Sequence, residues 1–118
     1  MEPVNIQVYS IVGNSLCVDA EDGQRVFDQI SQALKANLTV VVSFLNVEML
    51  TSAFLNTAIG QLYRDFSEEV IKKSLTTKDL SNVDKALLKR VVKTAKMYYK
   101  DPTWMEQTLS EITGENSK

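Results

Sequence analysis

Histidine is absent from this 118-residue chain, and Cys17 is its only cysteine. Without histidine there are no Ser-His or Cys-His nucleophilic pairs, no imidazole metal ligands and no use of the commonest general base. With one cysteine there is no intramolecular disulfide and no thiolate zinc cage; a reducing, cytoplasmic setting is the simplest fit. No apolar run approaches the roughly 20 residues that a membrane helix needs; the longest, residues 38–45, already includes Thr39 and Ser43. The first residues, MEPVNIQVYS, carry neither a basic nor an extended apolar segment and do not read as a signal peptide. Glycine is scarce and scattered at 13, 23, 60 and 114, so no phosphate-cradling loop is formed. The adjacent carboxylates Glu21-Asp22 and Glu68-Glu69 point apart in a helix or strand and make no acid/base pair. The reading is of a non-enzyme with no metal or cofactor.

What is present is an ordinary globular composition, 44% apolar and 24% charged, in a chain long enough to bury one core without staples. A net charge of -2 argues against nucleic acid as an obligate partner, which would need a basic surplus. The expected organisation is one domain over residues 1–113 with a disordered tail at 114–118.

Val4, Ile6 and Val8 alternate with polar residues as in a half-buried strand, and Gly13-Asn14 reads as a turn into a second strand at residues 15–19. Together these predict an N-terminal hairpin. Acids at Glu21 and Asp22 open a helix whose apolar face is Val26, Phe27, Ile30, Ala33 and Leu34. Residues 38–44 read as a central strand covered on both sides. A second helix carries the stripe Phe54, Ala58, Leu62, Phe66, with Gly60 expected to pack closely against the sheet. Residues 68–75 read as a further core strand. Ser81 and Asp84 cap a long helix reaching about Lys100, and Thr103 and Glu106 start a short last one that would pack Trp104 and Met105 onto the domain. The predicted order is β-β-α-β-α-β-α-α: an α/β fold with a mixed sheet of four to five strands and helices packed on it.

Thr51-Ser52 stand where the central strand's loop gives way to the second helix. A hydroxyl there can be a plain N-cap. It can also accept a phosphate whose charge the helix start would stabilise, or mark a docking edge. The lysines and Arg90 of the long helix recur opposite its apolar stripe. They read as a solvated face, with an acidic partner or a nucleic-acid backbone as the alternatives.

The stretch Ser43-Phe44-Leu45-Asn46-Val47, then Thr51-Ser52-Ala53-Phe54-Leu55-Asn56, resembles the STAS-like DUF4325 group. In that group a strand of the form DF-x-x-V leads to a T-(S/P)-(S/A)-F-x-(D/N) helix start. The group is related to the STAS domain of anti-sigma factor antagonists. The likeness implies a single STAS-like domain in a bacterial regulatory, signalling protein that works by binding another protein, of the histidine-kinase-type ATPase or serine kinase class. It implies a contact surface at residues 45–56, with Asn46, Glu48 and Asn56 as partner-binding candidates. By position it implies Ser52, with Thr51 beside it, as the phosphorylation or docking site. Thr51 replaces the aspartate that precedes the phosphorylated serine in true antagonists, and Ala53-Phe54 replace the following Ser-Gly. The alternative function is a small-ligand or nucleotide-binding module using the same helix start as an anion site.

Overall fold

The computed structural model describes residues 2–100. Strand β1 (Val4–Gln7) runs straight into a one-turn helix, α1 (Val8–Val12), followed by a two-residue strand β2 (Leu16–Cys17) and the long helix α2 (Ala20–Lys35). Strand β3 (Val40–Ser43) leads through a loop to β4 (Met49–Leu50). A composite helix follows: α3 (Ser52–Leu55), a π-helical turn (Asn56–Gly60) and α4 (Leu62–Asp65). Helix α5 (Glu68–Ser74), strand β5 (Leu75–Lys78) and helix α6 (Asn82–Lys100) complete the described chain. This is a compact α/β architecture.

The predicted hairpin is not formed. Val8 and Val12 are both buried and sit four apart, a helical spacing. Gly13 is not the tip of a hairpin: at φ 89° it takes the left-handed position that ends α1, its N–H donating to the Tyr9 carbonyl at 2.9 Å. The second correction falls on residues 68–75. Ser67 accepts a hydrogen bond from the Val70 N–H at 3.2 Å, acids fill the first turn and Lys72 and Lys73 the last, so the segment is a capped helix. The strand begins only at Leu75.

These two changes alter the sheet. It has three strands in the order β1-β3-β5, all parallel, with Val4, Val40 and Leu75 in register, then Ile6, Val42 and Thr77. A separate parallel pair joins β2 to β4 through Leu16–Met49 and Cys17–Leu50. The expected mixed sheet of four to five strands is therefore two small parallel sheets. Nor is β3 covered on both sides: Val40 and Val42 are buried, whereas Val41 lies between exposed Asn5 and Thr76 on the other face.

The core lies on the covered face. Val26, Phe27, Ile30, Ala33 and Leu34 of α2 meet Phe54, Leu55, Ala58, Ile59 and Leu62, with Val91 and Ala95 of α6 behind them. The π turn explains how Ala58, Ile59 and Gly60 are all buried in succession. The Gln61 N–H reaches back five residues to the Asn56 carbonyl at 3.1 Å, widening the turn so that one side meets α2 and the other α6. The Thr57 carbonyl, bypassed by that shift, accepts the Gln61 side-chain amide at 2.9 Å, which also donates to Gln24 on α2. Gly60 faces Ala95 and Val91 of α6, not the sheet as expected. Gly23 is the glycine that a close approach requires, because an added Cβ would stand 2.6 Å from the Phe54 carbonyl oxygen.

Ser81 caps α6 as expected, accepting from the Asp84 N–H at 3.1 Å. The last predicted helix, Trp104, Met105 and the 114–118 tail lie outside the described residues.

Candidate functional site

The end of β3 is fixed before its loop departs. Ser43 is buried and donates to Asp79 Oδ2 at 2.7 Å, while its Oγ accepts the Leu45 N–H at 3.2 Å. A tight turn closes between the Phe44 carbonyl and the Val47 N–H at 3.0 Å, with Asn46 in the left-handed region at φ 69°. Asparagine tolerates that conformation better than other side-chain-bearing residues, so backbone geometry accounts for this residue. Glu48 is also engaged: its carboxylate accepts the Ser15 hydroxyl at 2.7 Å, and its N–H donates to the Ser15 carbonyl. The loop is thereby tied to the segment between α1 and β2.

The capping task, which the sequence left open between the two hydroxyls, falls to one of them. Thr51 is the cap: its Oγ1 accepts the Phe54 N–H at 3.3 Å and donates to the Val18 carbonyl at 2.8 Å. Such a cap contributes about 1 kcal/mol. Ser52 takes the first helical position and is exposed. It lines a cleft of about 290 Å³ with Asn56, Leu87, Arg90, Val91 and Thr94, which places α3 and α6 on opposite walls. Asn56 and Thr94 also line the neighbouring cleft with Gly60, Tyr98 and Tyr99.

Three side chains near this edge are apolar and open to water. Leu16 is 50% exposed, Leu45 53% and Met49 54%. Leu16 and Met49 are register partners across β2 and β4, so they share one face, and Leu45 stands in the loop leading to it. Leu45 and Met49 fall within the contact surface expected at residues 45–56, whereas Leu16 was missed because an apolar residue in a strand reads as core. A two-residue strand pair buries only one of its faces, here through Cys17. Cys17 is inaccessible, and burial pushes its thiol up to about 11, with the Asp22 carboxylate adding to the effect. It stays a neutral thiol at physiological pH and serves as core rather than nucleophile.

Charge is segregated along the chain. Residues 70–100 hold nine of the thirteen cationic side chains and only Asp79 and Asp84 as acids. The ion pairs among the described residues are Arg25–Asp22, Arg64–Asp65 and Lys96–Glu68; Lys85, Lys89, Arg90 and Lys93 belong to none of them. Arg90 brings this basic face to the wall of the Ser52 cleft.

The candidates Thr51, Ser52 and Asn56 are thus brought together on one helix start, while Asn46 and Glu48 sit on the adjoining loop. Arg90 and Thr94 are additions from α6, whose side of the cleft follows from the crossing of two helices distant in sequence.

A family model described as a STAS-like domain of unknown function (DUF4325) matches residues 22–85, just over half of the chain. No curated protein and no solved structure matches.

Proposed function

The chain belongs to the STAS-like DUF4325 family, and from that premise we propose that it is a non-enzymatic regulatory module that docks another protein through residues 45–56. The partner class is a kinase-like ATPase or a related regulator, and the switch is phosphorylation of Ser52. One observation carries the reading: the structural task of the hydroxyl pair falls to Thr51, while Ser52 is exposed three residues after Met49, which shares an uncovered apolar face with Leu16. Half-exposed leucine and methionine side chains that share one face are what a protein interface covers. A phosphate at Ser52 would add roughly two negative charges within the 45–56 segment, in the cleft that Arg90 also lines. A docked apolar surface would then face a charge it cannot desolvate cheaply.

Phosphate mapping tests the switch. On incubation with host-cell extract and ATP, the wild-type protein is expected to be modified at Ser52. The Ser52→Ala variant should then stay unmodified, because the Thr51 hydroxyl is committed to the Val18 carbonyl. Phosphate found elsewhere, or nowhere, would remove the switch from the account.

A second reading, a small-anion or nucleotide site, is favoured by the cleft itself, where Arg90, Asn56, Thr94 and Ser52 converge on about 290 Å³. It requires the isolated protein to gain thermal stability from a nucleotide with no protein partner present.

A further inference from the structure

The four cations Lys85, Lys89, Arg90 and Lys93 lie on exposed positions of α6, in two adjoining rows of the helix. Lys85, Lys89 and Lys93 follow one another at four-residue spacing. Arg90 and Thr94 form the next row, which turns toward the cleft shared with Ser52 and Asn56. A solvated helix face commonly mixes charges of both signs at these spacings. After Asp84, α6 carries no acidic residue. Near its two ends the same helix leaves Val83 78% and Met97 41% exposed.

We infer that the docking partner presents an acidic helical segment that lies along α6, with one carboxylate seated in the cleft of Ser52, Asn56, Arg90 and Thr94. This rests on the docking reading above and names the partner's chemistry. Charge complementarity selects the occupant: the lysine row from Lys85 to Lys93 covers eight residue steps of helix, about 12 Å, and carboxylates at four-residue spacing match it step for step. The flanking Val83 and Met97 fit apolar side chains at the ends of the same segment. A nucleic acid is disfavoured because residues 1–69 carry nine acids against Arg25, Lys35 and Arg64, and that half of the molecule repels a polyanion. An anionic membrane is disfavoured because the exposed Val83 and Met97 stand near opposite ends of α6 with Lys89, Arg90, Lys93 and Thr94 between them, leaving no continuous apolar strip to insert. The seat of the carboxylate is also where a phosphate on Ser52 would sit, so modification and partner would compete for Arg90.

The test is fluorescence anisotropy with a labelled helical peptide of the length of α6, carrying glutamates at four-residue spacing and leucine near each end. The same peptide with glutamine in place of glutamate, a duplex DNA and phosphatidylserine vesicles serve as comparison probes. The wild-type protein is expected to bind the glutamate peptide about tenfold more tightly than the glutamine one, with the difference shrinking as salt rises. Lys89→Glu combined with Arg90→Glu should remove that difference, and an unchanged circular dichroism spectrum would confirm an intact fold. Leu45→Asp with Met49→Asp should leave it in place, which separates this inference from the docking edge. Equal affinity for both peptides overturns the inference. So does binding of DNA or vesicles as tight as that of the glutamate peptide and equally sensitive to the α6 reversal.

Discussion

Phe54→Ala is expected to lower the unfolding free energy by about 3–5 kcal/mol. That is a large share of the roughly 5–15 kcal/mol that holds a domain of this kind together. Phe54 is fully buried and sits where three elements converge. Its N–H closes the Thr51 cap, its carbonyl lies against Gly23 of α2, and its ring belongs to the core shared with α6. Truncation leaves a cavity that the short α3 cannot collapse, because α3 is fixed at one end by the cap and at the other by the π turn. Urea unfolding followed by circular dichroism measures the loss; a change under 1.5 kcal/mol, taken as about half the low end of the range, would contradict this packing.

Gly23→Ala tests the same junction from the other helix, and its sign is informative. In an exposed helix interior, alanine in place of glycine gains about 0.5–1 kcal/mol. At Gly23 the new Cβ would lie 2.6 Å from the Phe54 carbonyl oxygen, 3.1 Å from Thr57 Cβ and 3.4 Å from the Ala58 nitrogen. Two of these neighbours are backbone and cannot swing aside, so α2 and the composite helix must separate. A net loss of about 1–3 kcal/mol is expected. Gly60→Ala is the internal control, since its added Cβ would meet Ala95 Cβ at 3.6 Å, an ordinary contact. A denaturation midpoint that rises for Gly23→Ala would show that the two helices are not in backbone contact.

The parts of this fold that a local pattern encodes are legible in the sequence. Every residue of the apolar face read for α2 is buried, the central strand falls within residues 38–44, and the Ser81 cap is present. The misreadings have local causes. Val4, Ile6 and Val8 alternate as a strand should, yet Val8 pairs with Val12 at helical spacing, and the Gly13 stop serves a helix as readily as a hairpin. At residues 67–74 the cap and charge signals of a helix were in the sequence, but the apolar content of Val70 and Ile71 resembled a core strand. The π turn has no sequence signature of its own, and the helices it meets, α2 and α6, are both distant from residues 58–60 in the sequence.

The site shows the same division. The helix start at residues 51–56 could be located from the sequence because a cap and a loop are local. Which hydroxyl caps could not, since Thr51 is selected by the Val18 carbonyl, 33 residues away. Arg90 reaches the cleft only through the crossing of α6 over α3. The apolar patch depends on a strand pair too short to bury both of its faces.

The central claim is that residues 45–56 and their apolar neighbours form a docking edge. Quantitative affinity capture from the native host tests it most directly, comparing the wild-type protein with Leu45→Asp/Met49→Asp, two exposed changes expected to leave the unfolding midpoint in place. The account predicts that a specific partner recovered with the wild-type protein falls at least about tenfold with the double variant, as expected when interface anchors are lost. Ser52→Asp should reduce it as well, while Ser52→Ala retains it. Equal recovery of that partner by the wild-type protein and the folded Leu45→Asp/Met49→Asp variant would contradict the account.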